Sequence, residues 1–458
     1  MVVQQKALPG LELTMAGVPF RSPVGVAALG THFGRDKIGD PQGNAEINAD
    51  VLLKHVKAGA GFIAIGGSFI SDATLRIIRE KCRFEEPHFN KSRSFRVLKS
   101  VTAQEPYGVE GIYFHVGPFW VDTDFLKMTA PVKEKIMAIL LEKRPEHTPI
   151  IANTIGIGDV PESYIDGAKR WEELGADIIE LNFSCPSTPG MRGAVEDFFQ
   201  KRFPPRFQGA LLGEHPDIVA EITRRVVKEV SIPVGVKLTA ETGFPRIVGT
   251  VKAARDAGAK FVQLTNAGIS IPAPDIYHRG KSPWQFADGN FFALACGSWM
   301  RMLTYRNVAA VGRFVPGIDI AASGGLVTPE QCVEVMMLGA SLAQLCTGVI
   351  EQGRSLIRRT VSFMGKYMAE QGYDSVSDFI GQGQQYIKYQ EDVDLMPGKV
   401  VISLDESKCT RCGNCVDTIC AALYAEKGQI KIKKEKCTGC GGCTVTCQPG
   451  ALKLTLRD

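Results

Sequence analysis

The chain lacks several features that would point to a membrane or to nucleic acid. Its most apolar stretch, 335–350, is too short and too interrupted for a membrane span, because it contains Gly339, Ser341, Gln344 and Gly348. The net charge is only +4 at pH 7, so no excess of either sign indicates a nucleic-acid partner. Residues 1–10 form no charged-then-apolar leader. We therefore expect a cytoplasmic protein that binds neither a membrane nor nucleic acid.

Cysteine is scarce outside one short region. Of the 13 cysteines, five are scattered through the first 400 residues, and the other eight lie between Cys409 and Cys447. Disulfide frameworks are typical of small secreted domains, which this long chain does not resemble. The local concentration of cysteine indicates metal binding.

Length and composition predict a soluble protein with more than one domain. At 458 residues the chain exceeds one ordinary domain, and 45% hydrophobic with 22% charged residues is typical of a globular protein. We expect a large domain over residues 1–371, a linker with one amphipathic helix over 372–399, and a small domain over 400–458.

Short apolar strands alternate with amphipathic helices in the large domain. The expected strands span 24–29, 61–67, 149–156, 177–184, 233–239, 260–267, 319–325 and 342–349. Helical patterns between them include 162–174, 217–230, 247–257, 329–338 and 351–371. Strands that are apolar on both faces and separated by helices indicate parallel pairing, so we predict an α/β fold, a (β/α)8 TIM barrel. A doubly wound open sheet is the alternative.

Two irregular segments interrupt this alternation. We expect residues 71–120 to form an excursion beside the barrel. Residues 267–301 contain several prolines and aromatic residues, which favour an ordered lid or an interface over a flexible tether.

The carboxyl ends of barrel strands commonly form the functional site. Here they carry small and amide residues, among them Ala27, Ala28, Asn182, Ser184 and Asn266. Gly324-Gly325 and Cys346-Thr347 follow the seventh and eighth strands, where backbone N–H groups often bind a phosphate. Lys237 in the fifth strand either snorkels to the barrel mouth or holds its charge against a ring that becomes anionic on reduction.

The fourth expected strand leads into a loop that begins with a thiol. Residues 177–184 form a buried apolar strand, and Cys185 and Pro186 follow it. A thiol at this place could deliver a proton to a carbon atom, whereas a buried cysteine is otherwise a small hydrophobic residue.

The C-terminal cysteines form two runs, C-x₂-C-x₂-C-x₄-C and C-x₂-C-x₂-C-x₃-C. In two-cluster ferredoxins three closely spaced cysteines bind one cluster and the fourth ligand comes from the other run. We therefore expect two [4Fe-4S] clusters in a ferredoxin-like domain, one on Cys409, Cys412, Cys415 and Cys447 and the other on Cys437, Cys440, Cys443 and Cys420. Structural zinc is the alternative.

A barrel site with a proton-donating thiol and two one-electron clusters needs a cofactor that handles both one and two electrons. Flavin is the ordinary candidate. The chain has no G-x-G-x-x-G at a strand–helix turn, so a nicotinamide would be bound by a partner subunit.

Several short motifs are similar to one known family. They are LELTMAGVPF (11–20), SPVGVAA (22–28), NFSCP (182–186), VKL (236–238), Thr265-Asn266 and Ser323-Gly-Gly. The chain resembles the class I dihydroorotate dehydrogenase superfamily. With its cysteine module it is most similar to the pyrimidine-reducing, FMN- and iron–sulfur-containing part of the dihydropyrimidine dehydrogenases.

This resemblance implies FMN over the barrel mouth and the reduction of a C=C bond conjugated to a carbonyl, as in uracil or thymine. It implies that Cys185 is the general acid at C5 while the flavin passes a hydride to C6. Asn182, Ser184 and Asn266 would bind the substrate. The cofactor contacts would come from Ala27, Ala28, Lys237, Gly297, Gly324, Gly325, Cys346 and Thr347.

The resemblance also implies an oligomer and an electron-transfer partner, either an FAD- and NAD(H)-binding subunit or a ferredoxin. The sequence departs from the family at Ser68 in place of a lysine, at Ala267 in place of a threonine, and at Cys296 in place of a serine. Three alternatives therefore stay open: another conjugated carbonyl substrate, an electron-transfer subunit of a larger complex, or a dihydroorotate dehydrogenase.

Overall fold

The computed structural model divides the chain into two compact units, Met1–Ile387 and Lys388–Asp458. The division falls within the segment 372–399 that the sequence marks as a linker. The structure describes residues 9–28, 41–66, 96–101, 110–115, 123–156, 160–184, 212–284, 289–290, 292–394, 398–416 and 420–456. In these ranges no helix is both long enough and apolar enough to cross a membrane.

Eight parallel strands of the first unit form a nearly closed barrel. The strands of this unit are β1 (Leu13–Met15), β2 (Val18–Phe20), β3 (Val24–Val26), β4 (Ile63–Gly66), β5 (Arg96–Val101), β6 (Glu110–His115), β7 (Ile150–Ile155), β8 (Ile178–Asn182), β9 (Val234–Thr239), β10 (Phe261–Asn266), β11 (Gly268–Ser270), β12 (Ala293–Cys296), β13 (Asp319–Ser323) and β14 (Leu342–Leu345). The barrel sheet has the order β3-β14-β13-β10-β9-β8-β7-β4. At its seam, the Gly61 N–H donates to the Val24 carbonyl over 2.8 Å. The predicted (β/α)8 barrel is confirmed.

Helices follow the barrel strands. They are α1 (Pro41–Lys57), α2 (Thr123–Lys143), α3 (Pro161–Glu173), α4 (Pro216–Glu229), α5 (Arg246–Asp256), α6 (Arg301–Phe314), α7 (Pro329–Met337), α8 (Thr347–Gln352) and α9 (Ser355–Gln371). The N-terminus of α7 has a capping box of Thr328 and Gln331, with Pro329 at its first position. The predicted helix 351–371 is divided between α8 and α9, because Gly353 adopts a positive φ of 68°.

Strand β8 illustrates how the barrel strands divide their two faces. All of its residues are buried. Ile179 and Leu181 belong to the apolar core that also includes helix residues such as Trp171. The alternate residues Glu180 and Asn182 both contact Asn153 of β7, so they share the opposite face.

The two irregular segments come together in one sheet. Strands β5 and β6 of the first segment and β11 and β12 of the second form a four-stranded antiparallel sheet with the order β11-β12-β6-β5. Cys296 at the end of β12 is opposite Ile112 of β6. The sequence predicted each segment separately but not their pairing.

The segment after α9 differs from the expected amphipathic helix. It contains three short 3₁₀ turns, Val376–Asp378, Gln382–Tyr386 and Gln390–Asp392. Val376 and Phe379 are fully buried in the barrel core, so this part of the chain is not an independent tether. The Gly381 N–H donates to the Met336 carbonyl of α7 over 2.9 Å.

The second unit contains two small antiparallel sheets. Strand β15 (Val400–Leu404) pairs with β18 (Leu452–Leu456), and β16 (Leu423–Glu426) pairs with β17 (Gln429–Ile432). The short helix α10 (Gly442–Thr446) follows a 3₁₀ turn at Lys434–Lys436. Lys427 and Gly428 both have positive φ between β16 and β17, as a two-residue hairpin turn of type I′ requires.

Candidate functional site

A continuous network of polar side chains crosses four adjacent barrel strands near their carboxyl ends. The Asn153 amide donates to a Glu180 carboxylate oxygen over 2.5 Å, and the Asn182 amide donates to the Asn153 Oδ1 over 3.0 Å. The Ser184 hydroxyl and backbone N–H both donate to the Asn182 Oδ1, over 2.6 and 3.0 Å. The Asn266 amide then donates to the Ser184 Oγ over 2.6 Å. The structure thus brings together the three predicted substrate-binding residues.

This network fixes the role that Asn182 can play. Its Oδ1 accepts two hydrogen bonds from Ser184, and its amide nitrogen donates one hydrogen bond to the Asn153 Oδ1. Asn182 is 3% exposed, whereas Asn266 at the network's outer end is half-buried. Asn182 therefore orients its neighbours. Ser184 is as buried as Asn182, and Asn266 is the most exposed member of the network.

The inner end of the network is an ion pair within the barrel. The Lys237 Nζ lies 3.9 Å from the Glu180 Oε1, with side chains that are 5% and 2% exposed. Burial raises the pKa of the Glu180 carboxyl, while Lys237 and the Asn153 amide oppose this rise. Sequence reasoning singled out Lys237 but missed Glu180. A carboxylate in the middle of an apolar strand was the available signal.

Two buried glutamine side chains lie in barrel strands, one in β10 next to Lys237 and the other in β14. Gln263 is opposite Lys237 and Ala321 in the sheet, and Gln344 is opposite Ser323. They are 0% and 1% exposed. Neither amide has a hydrogen-bond partner among the residues that the structure describes. Buried amides are normally paired, because an unpaired polar group costs about 1–3 kcal/mol, so these positions fit a polar ligand or an ordered water.

The glycines after β13 meet the start of α6. Gly324 and Gly325 have φ of +105° and +80°, which non-glycine residues rarely adopt. A Cβ on Gly325 would lie 2.3 Å from the Arg301 backbone nitrogen. A Cβ on Gly324 would lie 2.8 Å from the Thr304 Oγ1, which itself donates to the Gly324 carbonyl over 2.8 Å. Gly325 is thus required by the close approach of the α6 backbone, and Gly324 by the hydroxyl groups of Thr304 and Thr265.

The segments predicted to bind a phosphate converge. Gly297 precedes the 3₁₀ turn Ser298–Met300 that leads to Arg301 at the start of α6. On the other side, a Cβ on Gly348 would lie 2.9 Å from the Leu326 carbonyl oxygen. Because Leu326 directly follows Gly325, the start of α8 lies against the segment that follows the glycine pair.

The predicted cofactor residues Cys346 and Thr347 lie near a third side chain, Cys296. The interaction between the two thiols lowers the pKa of Cys346 and, together with burial, raises the pKa of Cys296 well above its usual range. Lys237 is within electrostatic range of the two thiols. Of the remaining predicted cofactor residues, Ala27 is buried and bonded to the Leu345 carbonyl, and Ala28 is half-buried. Cys185 and Ser68 lie outside the described residues.

The cysteines of the second unit form two matching groups. Cys415 is within electrostatic range of Cys409, Cys412 and Cys447, and these four residues line one cavity with Leu404, Ile430 and Pro449. Cys443 has Cys420, Cys437 and Cys440 as its corresponding neighbours. Cys415 and Cys443 are buried, while Cys412 and Cys440 are exposed. Within the described ranges, no three His, Cys, Asp or Glu side chains are grouped so that they could hold a metal ion.

Comparisons with known proteins agree with the barrel. A family model described as "Dihydrouridine synthase (Dus)" matches residues 143–264, which include β7 to β9 and the first four residues of β10. The NAD-dependent dihydropyrimidine dehydrogenase subunit PreA of Escherichia coli (strain K12) is 25% identical over 288 residues, which are 62% of this chain and 65% of that protein.

Catalytic subunits of dihydroorotate dehydrogenase B (NAD(+)) also match. The subunit of Thermoplasma acidophilum is 29% identical over 220 residues, which are 48% of this chain and 64% of that protein. The chain thus spans slightly less than two thirds of the length of these two relatives. The subunit of Pyrococcus furiosus is 30% identical over 244 residues, which are 53% of this chain and 72% of that protein. On this similarity and on its barrel, the chain belongs to the class I dihydroorotate dehydrogenase superfamily.

Proposed function

We propose that the protein is an FMN- and iron–sulfur-dependent oxidoreductase that reduces the C=C bond of a pyrimidine such as uracil or thymine. The observation that carries this proposal is the polar network from Lys237 to Asn266. It joins a buried cation to amide and hydroxyl groups suited to a planar, amide-bearing ligand. The printed names of the relatives, a dihydropyrimidine dehydrogenase subunit and dihydroorotate dehydrogenase subunits, support this substrate class.

The residues at the barrel mouth fit FMN. The phosphate would be held by backbone N–H groups of Gly324, Gly325 and Thr347, with Gly297 and Cys346 beside it. The amides of Gln263 and Gln344, which have no hydrogen-bond partner in the described part of the chain, and the charge of Lys237 suit the polar edge of the ring. When bound, FMN supplies the hydride that reduces the substrate carbon.

The side chains of the chain itself would orient the substrate and move one proton. Asn266 and Ser184 hydrogen-bond the substrate amide groups, and Asn182 holds Ser184 in place through two hydrogen bonds. Cys185, next in the chain after Ser184, donates the proton to the carbon adjacent to the carbonyl. Lys237 stabilises negative charge that develops on the ring, and its ammonium nitrogen lies 3.9 Å from the Glu180 carboxylate within the barrel.

The second unit would carry electrons to the barrel through two [4Fe-4S] clusters. The neighbours of Cys415 and of Cys443 agree with the two ligand sets expected from the spacing, with one cysteine of each set coming from the other run. Each sheet likewise pairs a strand beside one run with a strand beside the other, as two related halves of a ferredoxin-like domain would. The electrons would come from an FAD- and NAD(H)-binding subunit or from a ferredoxin.

Anaerobic purification of the full chain provides the test. We expect released FMN in a ratio of about one per chain, and about eight iron atoms with matching sulfide. Cys185→Ser should abolish substrate-dependent flavin reoxidation and retain the FMN. Cys332→Ala, which removes a thiol within the α7 core, is the matched control and should reoxidise normally. Normal reoxidation in Cys185→Ser would remove the thiol from the mechanism.

A further inference from the structure

Strand β17 and the 3₁₀ turn after it carry a concentration of lysine that the proposed reaction does not use. Residues 431–436 contain four lysines and one glutamate. Three of these lysines, Lys431, Lys433 and Lys436, are called the lysine patch below. Lys433 and Lys436 are exposed, and Lys431 is half-buried. The turn ends at Lys436, directly before Cys437, so the patch adjoins the second cysteine run.

The strand pattern turns the patch away from the apolar core of the second unit. Ile430 is 5% exposed and belongs to this core, and Ile432 packs against it. Because successive side chains alternate between the two faces of a strand, Lys431 lies on the other face. There it is opposite Tyr424 of β16. The Lys433 Nζ lies 4.7 Å from the centre of the Tyr424 ring, so both lysines share one surface with the tyrosine.

The equivalent segment in the other half of the second unit has a different charge. Residues 403–408 precede 431–436 by 28 positions and also lead into a cysteine run, but they contain one lysine, one aspartate and one glutamate. No lysine of the patch forms an ion pair with a carboxylate in the described part of the chain. The positive charge is therefore confined to one half and is available to a binding partner.

We propose that the lysine patch is the docking surface for an acidic one-electron carrier protein of the ferredoxin type. Complementary charge attracts such a partner and raises its rate of association. Stable subunit interfaces are depleted in lysine, whereas electron-transfer encounters are small and transient. A surface of lysines therefore favours a carrier that binds and leaves over a permanently bound FAD-containing subunit.

The place of the patch gives docking a purpose, which rests on the proposed function. A carrier on this surface would lie beside Cys437, the first cysteine of the second run. Each encounter would oxidise the carrier by one electron and reduce the protein by one electron, with no transfer of a proton. The oxidised carrier would then dissociate and be replaced by a reduced one.

Binding of a purified acidic [2Fe–2S] ferredoxin to the full chain provides the test. Calorimetric titrations under nitrogen compare the parent with a triple variant that carries Lys431→Gln, Lys433→Gln and Lys436→Gln. We expect the substitutions to raise the Kd at about 100 mM salt by about tenfold or more. The parent should weaken by a similar factor at about 1 M salt, where the Debye length falls from about 10 Å to about 3 Å. The triple variant should depend much less on salt.

The matched control removes the same amount of charge from the same unit. It carries Lys399→Gln, Lys408→Gln and Lys453→Gln, three exposed lysines outside the patch. Its Kd should stay within about threefold of the parent, because screening limits the reach of distant charges. Equal weakening of both triple variants would show that net charge, and not the patch, is recognised.

Two further results would overturn the proposal. They are a parent that does not bind the ferredoxin, and a parent that binds a short DNA duplex more tightly than the ferredoxin. The salt dependence of the parent stands alone if the triple variant does not fold.

The binding measurement and the proposed function can fail separately, because binding requires no turnover. A parent that reoxidises its flavin with a pyrimidine but does not bind the ferredoxin would refute the docking surface alone. A parent that binds the ferredoxin through the patch, but whose flavin stays reduced with a pyrimidine, would refute the substrate and leave the docking surface in place.

Discussion

Replacing Glu180 with glutamine should leave the Lys237 ammonium group without its carboxylate partner inside the barrel. The substitution keeps the volume and an oxygen that can accept the Asn153 hydrogen bond. It therefore removes the charge with little change in packing. We expect a large loss of stability in the first unit.

The size of this loss follows from the geometry. At 3.9 Å and an effective dielectric constant of about 20, the attraction between the charges is about 4 kcal/mol. Breaking a buried ion pair by removing one partner costs about 3–5 kcal/mol in other proteins. For a large domain 1 kcal/mol changes the melting temperature by about 2 °C, so the midpoint should fall by about 8 °C.

Tryptophan fluorescence is the appropriate assay. All four tryptophans of the sequence precede residue 300, so their signal reports the first unit and not the second. The matched control is Asp256→Asn, which breaks the exposed ion pairs of Asp256 with Lys252 and Arg255. Solvent screens exposed pairs, so this control should change the midpoint far less than Glu180→Gln does.

A double-variant cycle separates the ion pair from other effects of the substitution. Glu180→Gln combined with Lys237→Met removes both charges and should recover most of the loss seen with Glu180→Gln alone. The expected coupling is about 3 kcal/mol. Additive losses in the double variant, or a Glu180→Gln protein as stable as the parent, would show that the pair is not ionised in the folded state.

Three further perturbations have defined outcomes. Burial lowers the pKa of His55 from 6.5 to about 4. The free energy of unfolding should therefore fall by about 3 kcal/mol as the pH drops from 6.5 to 4. Urea titrations should show that His55→Gln flattens this dependence on pH. Burial lowers the pKa of Lys133 from 10.5 to about 7. Between pH 10.5 and 7 the unfolded chain binds a proton at Lys133 that the folded chain does not, so the free energy of unfolding should fall as the pH drops. Lys133→Met should remove this dependence in the same titrations. The free energy of unfolding of Gly325→Ala should be at least about 1 kcal/mol lower than that of Gly317→Ala. Both glycines have φ near +80°, but a Cβ at Gly325 would meet the Arg301 backbone, whereas a Cβ at Gly317 would meet nothing within 4 Å. Equal losses in the two variants would refute the steric argument.

Local patterns in the sequence were sufficient to predict the barrel. The apolar strands and the glycines that end the helices recur along the chain, and each predicts its own element without distant information. The helices α1, α2 and α6 were missed because their apolar and polar residues are not sharply divided between two faces. The antiparallel sheet was missed for a different reason: β6 and β12 are paired across nearly 180 residues of chain, and neither strand's sequence identifies its partner.

The candidate site shows the same limit. Asn182, Ser184 and Asn266 could be predicted to lie together, because parallel strands bring their carboxyl ends to one edge. Glu180 could not be assigned a role, since its ion-pair partner Lys237 lies on the next strand and the register was unknown. Cys296 ends a strand of the antiparallel sheet, and the sequence marked it only as a departure from the family.

The central claim is that the barrel holds a flavin whose electrons pass to a pyrimidine. The most direct measurement reduces the anaerobically purified protein with dithionite, removes the excess, and follows the visible absorbance of the flavin after uracil or thymine is added. We predict rapid reoxidation of the flavin together with formation of the dihydropyrimidine. A flavin that stays reduced, in protein that contains FMN and iron–sulfur clusters, would contradict pyrimidine reduction and would favour a different conjugated carbonyl substrate.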